Sequence, residues 1–379
     1  ILKRNPDPDR PAGQEINHYR TPVRIPHNMR VIMMNPFNDI STLYDGDAPV
    51  ITTIDSHTEG EVTRLIVDGL PPVTGATMME KLNRFRTGHD AVRRLLTREP
   101  RGSRQVLAAL VTEPVTSDAA FGLIYMDARR YPYLCGHATI GAVTTLARTG
   151  FLTFEQGENQ VGIDTPSGRM TALALVQNGR LTSVSIQMVP TFVYATDQQI
   201  QVDGFGPVAV DLVCAGGFFA LVNTQQIDLT PTLENKPMLV DLGMKIIAAA
   251  NDQLTVTHPE RPDVTTVDVT EFYDTDTTGS PARGRGMVVY GESHMDRSPC
   301  GTGTAAKLAL LHHYKKIGLN EPYINASPLG TTFEARLVET TSIGDFEASV
   351  TRISGKAWIT GMHHFILDRT DPFQQGYLI

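Results

Sequence analysis

Residues 50–69 read VITTIDSHTEGEVTRLIVDG, an apolar stretch, a polar turn and a second apolar stretch. That pattern predicts two strands joined by a turn. Residues 76–98 place apolar side chains at helical spacing, broken at Gly88. QVLAALV (105–111) and AFGLIYMD (120–127) are short continuous apolar runs, as buried strands are. GHATIGAVTTLARTG (136–150) predicts a short helix ended by Gly150. Strands follow in VGIDTPSG, RMTALALV and LTSVSIQMV.

Beyond Pro190 the same sequence of signals returns. Strands are predicted near 208–214 and 217–223, then a helix over 237–251. TTVDVTEF and GMVVYG read as strands, TAAKLALLHHYKKIG as a helix, and strands near 331–338, 347–353 and 356–361 close the chain. Strands, one helix and strands, given twice, predict an α+β (mixed α/β) protein of two similar halves. The expected domains are 49–190 with 355–379, and 191–354. Residues 1–48 carry Pro6, Pro8, Pro11, Pro22, Pro26 and Pro36 with little periodicity. They read as an N-terminal arm with one short strand near Arg30–Met34.

Composition narrows the classes. The chain has 379 residues, 41% hydrophobic and 20% charged, which suits a two-domain globular protein. A net charge of −8 argues against nucleic acid or an anionic membrane as partner. No apolar run approaches the roughly 20 residues of a membrane-spanning helix. The first residues, ILKRNPDPDRPAGQ, lack the apolar core of a signal peptide, and the missing initiator Met reads as trimming or processing. Three cysteines, Cys135, Cys214 and Cys300, make no disulfide framework and point to a reducing, cytoplasmic setting.

Two of those cysteines mark an internal repeat. YLCGHATIGAVTTLARTG and SPCGTGTAAKLALLHHYKKIG place Cys135 and Cys300 165 residues apart. In both, Cys-Gly is followed three residues later by a threonine, Thr139 or Thr304, and a small-residue helix runs to a glycine, Gly150 or Gly318. A thiol at a helix N-terminus is favoured as thiolate by the unpaired N–H groups and the helix dipole. The same N–H groups can hold a carboxylate. Two such ends in symmetric halves would face two thiols and two sets of N–H groups into one cleft. Inverting a stereocentre beside a carboxylate needs that symmetry: one thiolate removes a proton from one face and one thiol returns a proton to the other. No metal and no pyridoxal phosphate are required.

Other readings stand beside this one. CGTGTAAK lacks the spacing of a phosphate-binding loop. Cys135, His137, Asp296 and Cys300 could be gathered as a zinc site, though without a C-x₂-C pair. Cys214 in DLVCAGGFFA reads as a buried strand thiol. His57, Glu59 and Glu61 read as loop-stabilising groups, and His312, Lys316, His363 and His364 as helix-end or surface residues. A non-catalytic carboxylate-binding or redox-sensing protein would use the same helix ends.

The motifs IDSHTEGEVTRLIVDGLP, REPRG, IYMDARRYPYLCGHATIGAV, IDTPSG, DRSPCGTGTAAKLALL and DPFQQG resemble the proline racemase family, on the diaminopimelate-epimerase-type fold. The resemblance spans about residues 50–377. It implies two pseudo-symmetric domains, each a curved sheet or barrel around a central helix, in a cofactor-independent homodimer. It implies Cys135 and Cys300 as the acid/base pair, with Gly136, His137, Gly301 and Thr302 binding the carboxylate. It sets Asp296 and His137 beside the substrate nitrogen and the thiols, and Leu107 and Tyr290 near the ring pocket. Proline is the implied substrate, with 4-hydroxyproline epimerisation as the alternative. Related trans-3-hydroxyproline dehydratases typically carry Thr in place of the second cysteine, so Cys300 favours racemase or epimerase.

Overall fold

The computed structural model of the protein describes residues 50–379, apart from Glu292 and Arg369. The expected arm and its strand lie outside the described residues. The first apolar–polar–apolar segment forms an antiparallel hairpin of β1 (Val50–Thr58) and β2 (Glu61–Asp68). Its turn holds Glu59 at φ 47° and Gly60 at φ 107°, the two positive values that a primed hairpin turn requires.

Helix α1 (Met78–Thr97) is capped by Thr77, whose side chain accepts the Glu80 N–H at 3.1 Å. The break expected at Gly88 is a kink at the next residue, His89, with φ −134°. Next come β3 (Leu107–Thr112), parallel to β2, and β4 (Phe121–Met126), antiparallel to β3. Helix α2 (Gly136–Arg148) leads to β5 (Gly157–Thr165), parallel to β4. β6 (Gly168–Gln177) and β7 (Arg180–Gln187) extend the ladder antiparallel.

The plan then repeats. β8 (Thr191–Val202), β9 (Gly206–Cys214) and β10 (Phe218–Asn223) pair antiparallel, and α3 (Lys236–Gln253) crosses to β11 (Val267–Asp276), parallel to β10. β12 (Ala282–Tyr290) is antiparallel to β11 and extends into the short β13 (His294–Met295). Helix α4 (Gly301–His313) leads to β14 (Tyr323–Ala326), parallel to β12. β15 (Thr332–Ile343) and β16 (Phe346–Gly355) follow antiparallel, and β17 (Ala357–Ile366) returns to β1.

The ladders β17-β1-β2-β3-β4-β5-β6-β7 and β8-β9-β10-β11-β12-β14-β15-β16 therefore share one order of parallel and antiparallel neighbours. This is the expected α+β fold of two pseudo-symmetric halves. All four expected helices form, two in each half, α1 and α2 or α3 and α4, so the pattern of one helix per half describes only the central ones. β8 also went unread, because its TDQQ run is polar and partly exposed and its ladder with β9 slips twice. β16 belongs to both sheets: Arg352–Gly355 pair with β7, and Ala348–Ser349 with β8.

Each curved sheet wraps one helix. α2 packs against β1, β2, β7 and β17, and α4 against β8, β9 and β16. Every residue of α2 from Gly136 to Leu146 is buried. A helix enclosed on all sides must be apolar all round, which explains its run of Ala, Ile, Val, Thr and Gly. Ile140 is fully buried there. Ile140→Ala is expected to cost about 2–5 kcal/mol, seen as a lower urea midpoint with an unchanged far-ultraviolet spectrum in native buffer.

Candidate active site

The first turns of α2 and α4 meet. A Cβ added to Gly301 would stand 3.5 Å from the Cα of Gly136, and one added to Gly136 the same distance from the Cα of Gly301. A methyl at either position would be in van der Waals contact with the facing turn. The two glycines thus let two helix N-termini share one space.

That space is a cavity of about 110 Å³. Cys135, Gly136 and His137 line it from the first half, and Asp296, Cys300, Gly301 and Thr302 from the second. Leu107 and Tyr290 form part of its wall, with Leu134, Phe219, Val269 and Val288 supplying apolar surface. All nine residues singled out in the sequence therefore border one cavity. Cys214 lies elsewhere, 1% exposed in the core of the second half, as expected of a strand thiol.

The two cysteines cap their helices differently. Cys135 is the N-cap residue of α2 in extended conformation, φ −149°, with its Sγ 3.3 Å from Nδ1 of His137. Thr139 donates its hydroxyl to the Cys135 carbonyl at 2.8 Å, and the Tyr125 hydroxyl meets Thr139 Oγ1 at 2.6 Å. Cys300 caps α4 at φ 59° and ψ 118°, a conformation L-residues rarely adopt and one that collects at functional sites. Its Sγ accepts the Gly303 N–H at 3.4 Å and lies 3.5 Å from Thr302 Oγ1. Thr304 donates to the Cys300 carbonyl at 2.6 Å, the counterpart of Thr139. Asp296 Oδ1 accepts both the backbone N–H and the hydroxyl of Ser298 at 2.8 Å, and Ser298 Oγ accepts the Cys300 N–H at 3.1 Å.

Charge is concentrated here and mostly buried. Asp296 is 4% exposed, and burial and then the neighbouring Glu61 push its carboxyl above the usual range. Burial holds His137 below its ordinary value, so its imidazole is neutral near pH 7. The thiols depart from the sequence expectation. Burial pushes Cys135 up, against the Ala138 N–H, and Asp296, Glu61 and Asp127 push it further. Burial likewise pushes Cys300 well up, as do Asp296 and Glu271, against Thr302 and the Gly303 N–H. Loss of water and like charge thus outweigh the helix ends at both thiols.

Sequence reasoning treated Glu61 as a loop residue and passed over His294 and Arg297. Glu61 is the anchor beneath Asp296. It accepts from the Arg297 backbone N–H at 2.7 Å and from its guanidinium at 3.0 and 2.8 Å, and lies 3.4 Å from His294 Nε2. This bond ties β2 of the first half to the segment before α4. The available signal was the carboxylate next to the hairpin turn and the arginine adjoining Asp296 in DRSPCG. Glu59 also proves structural, accepting the Lys356 N–H at 3.1 Å, and His57 stacks on Trp358 at 5.1 Å.

The family described as proline racemase matches residues 53–378. A proline racemase of Clostridioides difficile is 37% identical over 329 residues, 87% of this chain and 98% of that protein. A trans-3-hydroxy-L-proline dehydratase of Colwellia psychrerythraea is 32% identical over 329 residues, 87% of this chain and 92% of that one. Among solved structures, a hydroxyproline epimerase from Agrobacterium vitis with bound trans-4-hydroxy-L-proline superimposes with a TM-score of 0.80. It is 29% identical and covers 87% of this chain and 96% of its own.

The Glu61 anchor makes a prediction of its own. Burial opposes its charge, but the hydrogen bonds from His294 and Arg297 prevail and lower its pKa from 4.5 to about 2. A depressed carboxylate stabilises the fold above its unfolded pKa and loses that contribution as pH falls toward the folded value. Glu61→Gln is expected to lower stability by about 3 kcal/mol at pH 7. The difference from the unaltered protein should shrink between about pH 4.5 and pH 2. Urea unfolding of both proteins across that range measures it.

Proposed function

The chain belongs to the proline racemase family and is an isomerase of the racemase and epimerase type, and we propose that it inverts the α-carbon of proline by a two-thiol mechanism. One observation carries the reading. Cys135 and Cys300, each capping the corresponding helix of its half, border one small cavity together with both helix N-termini.

The steps follow from the site. The substrate carboxylate accepts from the N–H groups of the first turns, where the helix dipoles favour negative charge. Those N–H groups also stabilise charge that develops on the carboxylate as the α-proton leaves. One sulfur, as thiolate, takes the α-proton, and the other, as thiol, gives its proton to the opposite face. The roles exchange for the other enantiomer. Asp296 and His137 are suited to meet the ring nitrogen. The ammonium that the substrate brings favours a thiolate, while its carboxylate opposes one and is met by the helix N–H groups. The apolar wall of Leu107, Leu134, Phe219, Val269 and Val288 suits the ring carbons.

Incubation with L-proline in D₂O should place deuterium at Cα as optical rotation decays. Cys300→Ser should reduce inversion by at least about a hundredfold. A fully active Cys300→Ser protein would refute the two-thiol scheme. Failure of exchange with proline and with 3- and 4-hydroxyproline would favour a non-catalytic carboxylate binder.

One feature supports 4-hydroxyproline as a second reading: the Tyr290 side chain on the cavity wall carries a hydroxyl. A site built to hydrogen-bond a substrate hydroxyl discriminates strongly against the analogue that lacks it. For a proline enzyme, Tyr290→Phe should leave kcat/KM for proline within about threefold. For a hydroxyproline epimerase it should lower kcat/KM for 4-hydroxyproline by about a hundredfold, with little effect on the residual proline turnover.

A further inference from the structure

The two halves match in topology, but not in what lies behind the two cysteines. Behind Cys300 is an ion pair with no access to water. Lys307 Nζ lies 3.2 Å from Glu271 Oε1, and both side chains are 0% exposed. Lys307 lies on α4 at the same 165-residue spacing from Ala142 of α2 as separates the two cysteines. Leu107 and Val269 stand at the cavity wall in the corresponding strands β3 and β11. Counting two residues on from each pairs Glu271 with Ala109. Ala109 and Ala142 are fully buried methyls, and Tyr125, paired to Ala109 across the ladder, fills their side of the first half. A neutral phenol thus stands where the second half holds two charges.

The charges are wired to Cys300. Lys307 also donates to Asn325 Oδ1 at 2.9 Å and to the Arg285 carbonyl at 3.2 Å. Asn325 donates in turn to the Pro299 carbonyl at 2.9 Å and to Thr304 Oγ1 at 2.8 Å, and Thr304 holds the Cys300 carbonyl. The carboxylate is the end of the pair nearer the first turn. A Cβ on Gly303 would stand 2.8 Å from Glu271 Oε2, and one on Gly286 2.6 Å from Oε1. Both positions are therefore glycine where the carboxylate needs the room. Gly303 is also the residue whose N–H reaches Cys300 Sγ. Neither Glu271 oxygen has a hydrogen-bond partner among the described residues, and only Oε1 has the Lys307 ammonium at ion-pair distance.

We propose that Glu271 is a positioning residue that makes the two thiols inequivalent: its buried carboxylate holds Cys300 as the thiol, and the first proton to leave the pair leaves Cys135. This rests on the two-thiol reading above. The two sulfurs face different sets of groups. Cys300 faces Glu271 from β11, Asp296 from the segment before α4, Tyr290 from β12 and Lys307 further along α4. Cys135 faces Asp296 as well, with Glu61 from β2, Asp127 after β4, Tyr125 from β4 and Tyr290. Only Cys135 has an imidazole nitrogen against its sulfur, able to donate to a thiolate. Only Cys300 has an unpartnered carboxylate oxygen behind its first turn. Burial pushes the Glu271 carboxyl above its ordinary value, and Lys307 Nζ, 3.2 Å away, opposes that shift as its ion-pair partner.

The inequivalence cannot appear in kcat/KM, since proline enantiomers have equal free energy and that ratio is tied to their equilibrium. It appears in the pH at which each sulfur becomes reactive. The test is alkylation of the native enzyme by iodoacetamide from pH 6 to pH 11, quantified separately at Cys135 and Cys300 by peptide mass spectrometry. The midpoint of each pH–rate profile reports ionisation, whereas its plateau reports access. In the unaltered protein the Cys300 midpoint should lie above that of Cys135. In Glu271→Gln the Cys300 midpoint should fall by about one unit, a tenfold rise in thiolate fraction at fixed pH, with Cys135 little changed. If an unpaired Lys307 prevents folding, Glu271→Gln with Lys307→Met should shift Cys300 in the same direction by less. A Cys135 midpoint at or above that of Cys300 in the unaltered protein overturns the proposal. So does an unmoved Cys300 midpoint in a folded variant. Separated midpoints without proline turnover would leave this inference standing and sink the substrate assignment. Coincident midpoints with turnover would do the reverse.

Discussion

The contact between Gly136 and Gly301 governs the rest of the molecule. Two helix N-termini carry like partial charges and unpaired donors, and they gain nothing by meeting unless an acceptor stands between them. Here they meet because each helix is enclosed by its own sheet and has no other direction to take. Burial of α2 and α4 on all sides fixes where their first turns emerge. The absence of side chains at 136 and 301 then decides how close they come. A small cavity bordered by both first turns results.

Enclosure also reverses a familiar expectation about thiols. At an exposed helix end, the dipole and free N–H groups would ease ionisation of Cys135 and Cys300. In this cavity the loss of water is the larger effect, and Asp296 adds repulsion to both. Both thiols are therefore pushed above the ordinary cysteine range. Glu61, clasped by Arg297 and His294, is instead held well below its ordinary value and ties the two halves together.

Much of this was legible in the chain. The Cys-Gly pairs at helix starts are local signals, and their spacing exposed the duplication before any topology was known. The hairpin around Glu59–Gly60, the buried strands and the central helices followed from apolar periodicity. β8 and β14 did not, since one is polar along much of its length and the other has only four residues. Glu271 and Lys307 were illegible for a different reason. A glutamate in TTVDVTEF and a lysine in TAAKLALL look like exposed positions of a strand and a helix. Only the fold brings them together and removes both from water. Sequence symmetry revealed the pair of sulfurs, while the difference between them lies in residues that the symmetry does not relate.

β16 gives the last consequence. Its C-terminal part is bonded to β7 and its middle to β8, so one strand is stitched into both sheets. Two bodies joined in this way cannot slide past each other without tearing a ladder. A load on either half therefore passes into the other through backbone hydrogen bonds of one continuous strand.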